Sequence, residues 1–358
     1  MKPDLIRFLT FAAMMSSWGY IPIYAKDLGM SDTEIGLIVA SYSLALFLSS
    51  FVFGRASDKY GRKLFLLVGL VLSSIAFFLQ SFAQNLFVLL TIRVLVGFCL
   101  GIFPSSLIAY VHEKKEDLSK FSSFGSLGWA FGSFIAGSIA VNLPIENVFV
   151  FGSLLFFLAF LTASRMKFGG HHSIDIPKFP TKIIKKNFPL YLSILIRQSG
   201  AQMIWTFWPL FLGSIGADLF WVGVILMTNS AVQFVFMYTL SGRIKYVTSV
   251  TAGLFLSSVT FFSFALATNH WQIFPTQILL GVSWSLMYVG GLRYLVDRNV
   301  EKATVSGLFD SVLSLSSIIG PFMATFVITF GGYRTTMYLA SIFAFIGFLS
   351  FGFSQKSG

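Results

Sequence analysis

Twelve times along the chain a run of about 20 residues passes with almost no charge, and that recurrence decides what the chain can fold into. Wound as a helix at 1.5 Å per residue, such a run crosses the ~30 Å hydrocarbon core of a bilayer. The runs occupy 5–25, 33–54, 62–83, 86–110, 121–141, 146–166, 188–212, 219–241, 247–268, 271–296, 304–330 and 333–354. Only 11% of the 358 residues are charged, against roughly a quarter in a soluble domain, so water cannot be the solvent for the whole surface. Strict apolar/polar alternation is absent and the runs are too long for tilted membrane strands, which excludes a β-barrel.

The longest polar connector, 167–187, carries glycine, proline and five lysines. It divides the chain into six runs on either side, 1–166 and 188–358. Three short echoes join the halves: Gly54-Arg55 with Gly242-Arg243, Arg93/Gly97 with Gln277/Gly281, and Gly132-Ser133 with Gly320-Pro321, at offsets of 188, 184 and 188. The expected fold is therefore an all-α membrane protein with twelve transmembrane helices in two pseudo-symmetric six-helix bundles, a duplicated unit common among secondary transporters.

The net charge of +11 invites a nucleic-acid reading, but the placement of the basic residues argues against it. With a cytoplasmic N-terminus, 21 lysines and arginines fall on the inner side and only Lys26 and Arg334 outside, with Arg93 and Arg197 inside the membrane. That is the positive-inside bias, and it places both termini and the central connector in the cytoplasm of a plasma-membrane protein. The first run lacks a small-residue cleavage pattern and reads as a retained helix. One cysteine, Cys99, lies within an apolar helix, so neither an intrachain disulfide nor a thiolate metal site is expected.

Between the second and third runs stands G-R-A-S-D-K-Y-G-R-K, Gly54 to Lys63, a connector with almost no slack. Here the chain resembles the major facilitator superfamily. That family's signature is a glycine, an acid four residues on, a basic residue, a glycine three residues after the acid, and two basic residues. Gly54, Asp58, Lys59, Gly61, Arg62 and Lys63 match every element. The resemblance implies that Asp58 helps latch an inner gate against the start of helix eleven, near Thr304 or Ser306, where free N–H groups favour an anion. A plain topology anchor with a turn glycine is the alternative.

Helix four adds Arg93 followed by Gly97, a pair that members of the family often carry and whose arginine, in proton-coupled members, is tied to proton movement. A guanidinium about 10 Å inside the membrane must be compensated by a partner or water. Helix five holds Gly125, Gly128, Gly132 and Gly137, a small-residue packing face, but Ser133 stands where the family's antiporters have proline. Gly320-Pro321 in helix eleven is the best hinge among the helix prolines Pro22, Pro104, Pro209, Pro275 and Pro321.

Arg197 lies near the midplane of helix seven, the depth at which transporters bind solutes. Helical spacing puts Ala201, Trp205 and Trp208 on its stripe, with Gln198 and Gln202 beside them. Trp18, Tyr24, Tyr42, Asn229, Gln233, Gln277, Trp284 and Tyr288 complete a candidate aromatic and amide-rich cavity. A structural arginine stacked on its own aromatic neighbours is the competing reading. Asp310 is the one carboxylate well inside a run. His171 and His172 lack ligand companions, and neither a Gly-x-x-x-x-Gly-Lys phosphate cradle nor a nucleophile elbow occurs, so no metal, no cofactor and no enzymatic activity are expected.

The sequence thus leads to a monomeric secondary transporter working by alternating access, with a small-molecule substrate and the lipid bilayer as its partners. Export of drug-like or amphipathic solutes is favoured, with protons as the coupling ion that Arg93 brings into view. Sugar or organic-anion transport, for which Arg197 speaks, and a non-transporting membrane sensor or scaffold are the alternatives.

Overall fold

The computed structural model describes residues 2–114, 118–166, 168, 181–240, 244–299 and 302–356. His171, His172, Gly242 and Arg243 lie outside the described residues, as do the side chains of Gly54, Arg55, Asp58, Lys59, Thr304 and Ser306. All the regular structure among the described residues is helical. In chain order the helices are α1 (Lys2–Trp18), α2 (Ile21–Asp27), α3 (Asp32–Tyr60), α4 (Arg62–Gln80), α5 (Leu86–Ile102), α6 (Pro104–Glu113) and α7 (Leu118–Asn142). They continue with α8 (Glu146–Ser164), α9 (Thr181–Ser214), α10 (Leu219–Leu240), α11 (Tyr246–Leu266), α12 (Ile273–Arg298) and α13 (Lys302–Lys356).

Among the described residues, nine stretches are helical, long and apolar enough to cross a membrane. The first span, α1 with α2, and the seventh, α9 with its lysines, Arg197 and two glutamines, add two more. A break at Gly332 (φ 70°, ψ −169°) divides the 55-residue α13 into the eleventh and twelfth spans. The architecture is the expected twelve-span helical fold.

Three helix boundaries differ from the hydropathy reading. The first run breaks after Trp18 and resumes with Pro22 in the first turn of α2. The fourth breaks at Phe103, and Pro104 opens α6, a position where a missing N–H costs nothing. The eleventh and twelfth runs, read as separate, join through a single glycine turn. Polar caps start other helices: Ser31 and Glu34 form a reciprocal capping box on α3, and Asn85 Oδ1 accepts from Val88 N at 3.0 Å on α5.

The chain divides into two compact units. One comprises Met1–Asp175 with Ala217–Phe234, the other Ile176–Gly216 with Val235–Gly358. The sequence division at 167–187 had placed 217–234 in the second half. In the structure this stretch packs within the first unit, where the Tyr20 hydroxyl donates to the Leu219 carbonyl at 3.0 Å. In the first unit α1 packs on α7 and α8, α3 on α5, and α4 on α8, around Ile6, Phe77, Leu100, Phe103 and Phe156. In the second, α9 packs on α13 and α11 on α12 and α13, around Ile194, Leu254, Met287, Phe309 and Phe351. Leu48, Phe82, Phe87, Leu154, Phe330 and Phe353 are more than half exposed, a density of outward apolar side chains that suits lipid rather than water.

Each unit repeats the same helix contacts. Ser74 Oγ on α4 donates to the Ser153 carbonyl on α8 at 2.9 Å, with the hydroxyls 3.2 Å apart. Ser258 on α11 and Ser341 on α13 form the same pair at the same distances. Gly69 lies against Phe103 as Gly253 lies against Met287. Gly132 of α7 presses on Ala12 of α1, and Gly320 of α13 presses on Ser199 and Gln202 of α9; a methyl added to either glycine would come within 2.2–2.3 Å of the facing helix. The offsets of these glycines and serines are 184 or 188 residues, the same two values carried by the sequence echoes.

Candidate functional site

The segment Gly54 to Lys63, expected as a loop, is helical except at one residue. α3 runs to Tyr60, α4 starts at Arg62, and Gly61 alone makes the link at φ 103° and ψ 130°. Only glycine adopts such a conformation without strain, so the second glycine of the signature is the turn itself. The Gly61 N–H still donates to the Ser57 carbonyl at 3.1 Å. Arg62 is half-buried and Lys63 exposed in the first turn of α4.

Arg93 on α5 is buried, at 4% exposure, and has neutral partners. Its Nη1 donates to Oε1 of Gln80 at 3.0 Å, and its guanidinium carbon lies 4.1 Å from the centre of the Tyr42 ring. Ser17 Oγ donates to the same Gln80 oxygen at 3.3 Å. One amide at the end of α4 therefore gathers the first, third and fourth spans. Gly97, one turn along α5, brings that helix against the Tyr42 carbonyl of α3, and Gly128 does the same for α7 at the Phe8 carbonyl of α1. Gln80 and Ser17 escaped the sequence reading. The signal was an amide inside the apolar run Phe77-Phe78-Leu79-Gln80, which demands a buried partner as firmly as an arginine does.

In the second unit Arg197 on α9 is buried, at 2% exposure. Its Nε donates to Ser257 Oγ on α11 at 2.9 Å and its Nη1 donates to Oε1 of Gln198. Ser257 is oriented in turn by donating to the Gly253 carbonyl at 2.7 Å, with Ser283 Oγ 3.2 Å away. The Phe261 and Trp284 rings stand 5.0 and 5.4 Å from the guanidinium carbon. Trp284 is stacked on Tyr288, with centroids 5.5 Å apart. Arg197, Gln198, Trp284 and Tyr288 thus form one cluster, and Ser257 and Phe261 are members that periodicity within α9 could not reveal.

The other candidates are placed elsewhere. Gln202 Nε2 donates to Ser317 Oγ on α13 at 2.9 Å, and Gln233 Nε2 to Asn229 Oδ1 one turn away at 2.6 Å. Trp208 is fully buried with its ring 4.5 Å from Phe264, and half-buried Trp205 packs on it at 5.5 Å. Tyr24 is taken up by packing: its hydroxyl donates to the Ala83 carbonyl and its ring meets Phe149 edge-on. Gln277 is fully buried on α12 and Trp18 half-buried at the end of α1. Asp310 is exposed on α13. Among the described residues, no group of three or more histidines, cysteines or carboxylates is placed to hold a metal ion.

The family model described as Major Facilitator Superfamily matches residues 4–244, well over half the chain. The chain belongs to that superfamily. Curated relatives agree: the quinolone resistance protein NorA of Staphylococcus aureus strain COL is 25% identical over 338 residues, covering 88% of this chain and 86% of that protein. The multi-drug resistance efflux pump PmrA of Streptococcus pneumoniae is 25% identical over 363 residues, covering 94% and 90%. Among solved structures, the nucleoside transporter NupG superposes with a TM-score of 0.78 at 14% identity, covering 98% of this chain and 97% of that one. A facilitator of this superfamily is a multi-span membrane transporter of small molecules and not an enzyme, and that holds for this chain.

Proposed function

We propose that this facilitator exports amphipathic, drug-like small molecules from the cytoplasm by alternating access, as a monomer in the plasma membrane with both termini cytoplasmic. The observation that carries the solute class is the near full-length similarity to two proteins named for drug resistance and drug efflux. The complete Gly54–Lys63 signature, closed by the one-residue turn at Gly61, supports a working gate with Asp58 as its latch. It also weighs against a scaffold that has lost transport. Arg93, held by Gln80 and Tyr42 with no acidic partner among the described residues, supports proton coupling through the first unit.

The test is dye accumulation in cells stripped of their own pumps. Cells expressing the chain should hold several-fold less of an amphipathic dye. The difference should vanish with Asp58→Asn and shrink when the proton gradient is collapsed. Equal accumulation with and without the protein, across dyes, sugars and organic anions, would refute the reading.

A further inference from the structure

Both buried arginines are short of acceptors among the described residues: Arg93 has one, with its Nε unpartnered, and Arg197, placed by the sequence near the midplane, has two. Arg197 offers five N–H donors, and two of them, on Nε and Nη1, have acceptors. The other three find none among the described residues. A guanidinium that is 98% buried yet short of acceptors is costly in a membrane unless something else supplies negative charge.

The described residues do not supply it. Residues 176–216 contain no acid, and in 235–358 the carboxylates are Asp297, Glu301 and Asp310. In the sequence Asp297 and Glu301 fall at the junction between α12 and α13, and Asp310 is exposed on α13. Arg197 makes no ion pair among the described residues. Its neighbours are a hydroxyl, an amide and two aromatic rings, with a third ring stacked behind Trp284. Ser257 is itself fixed by Gly253 and Ser283, so the Nε donor is pinned and the remaining fork is held in one orientation.

We propose that Arg197 is the anion-binding end of the solute site, and that the solutes this transporter recognises carry a carboxylate joined to an aromatic body. The planar fork matches a carboxylate through paired hydrogen bonds. Desolvation by the surrounding side chains strengthens the attraction, and Phe261, Trp284 and Tyr288 supply flat apolar surface for the rest of the molecule. A cationic solute finds no acid here to receive it. This assignment rests on the transport reading above and narrows its solute class.

The experiment uses the full chain in detergent and three probes of one shape and different charge: 1-naphthoate, 1-naphthamide and 1-naphthylmethylammonium. Thermostability is read by size-exclusion chromatography after heating, against probe concentration. The expected result is saturable stabilisation by the carboxylate, at an apparent affinity at least about tenfold above that of the amide or the ammonium, the factor a charge-assisted hydrogen bond carries. Arg197→Gln should erase that preference and Arg197→Lys should keep part of it.

A purely structural arginine would lower the melting temperature of Arg197→Gln but leave the three probes ranked as in the wild type. Equal responses to the three probes, no response to naphthoate, or a preference that survives in Arg197→Gln overturns the assignment. If Arg197→Gln does not fold, the wild-type ranking and Arg197→Lys decide. Dye accumulation tests transport separately: a pump that expels cationic dyes with Arg197→Lys and wild type alike, and ignores naphthoate, is a transporter without this anion site.

Discussion

Gln80→Met removes the one hydrogen-bond acceptor that Arg93 has among the described residues. Gln80 is fully buried, and its Oε1 receives Arg93 Nη1 at 3.0 Å and Ser17 Oγ at 3.3 Å. A hydrogen bond to a charged group contributes roughly 1.5–3 kcal/mol, and an interhelical hydroxyl bond in a membrane protein about 0.6 kcal/mol. Methionine fills a similar volume, so the cavity cost is small. The single substitution should therefore destabilise by about 2–3 kcal/mol, a fall of several degrees in melting temperature. Arg93→Met removes the buried charge, and in that background Gln80→Met should cost less than about 1 kcal/mol, because breaking one side of a buried polar pair is worse than replacing both. The double-mutant cycle is read by thermal unfolding of the purified protein in one detergent. A coupling below about 0.5 kcal/mol, the level of independent sites, would show that Gln80 does not hold Arg93.

Further expectations follow from the helix contacts. Gly132→Leu and Gly320→Leu should each cost at least about 1–3 kcal/mol by forcing facing backbones apart, whereas Gly213→Ala, with open space around it, should be neutral or stabilising in the same unfolding assay. Gly61→Ala places a methyl with nothing within 4 Å among the described residues, yet should cost roughly 1–3 kcal/mol from backbone strain and reduce dye export, measured side by side. Ser74→Ala and Ser258→Ala remove equivalent hydroxyls and should lower stability equally, by about 0.6 kcal/mol; a clear inequality in melting temperature would break the equivalence of the two units.

The bilayer made most of the architecture legible. Lipid forces every span to be long, apolar and helical, so hydropathy alone marks the twelve crossings. It did not mark the breaks at Tyr20 and Phe103, because a window averages across a kink that Pro22 and Pro104 impose locally. Repetition was legible in Gly132/Gly320 and Arg93/Gln277, where residue types are distinctive. It was invisible in the serine pairs, since single serines are common in membrane helices and only the contact distinguishes them. Both buried arginines stood out because charge is rare in a membrane, but their partners Gln80 and Ser257 sit 13 and 60 residues away, beyond any helical periodicity. The signature segment was recognised by composition and misread in shape: Gly61 compresses the connection into one residue and leaves the rest to α3.

The repeated contacts also show where the two units differ in length. The Gly69–Phe103 and Ser74 sites map onto the second unit at 184 residues, while Gly132 and Ser153 map at 188. The change of offset falls between Phe103 and Gly132, which are 29 residues apart, while Met287 and Gly320 are 33 apart. The two units therefore differ there by four residues, about one helical turn, and the Gly54/Gly242 echo at 188 places a second, opposite difference before Gly69. A turn-sized change keeps the side chains on both sides facing as they did. The serine clasp spans that difference: Ser74 maps to Ser258 at 184 and Ser153 to Ser341 at 188, yet the same contact closes in both units.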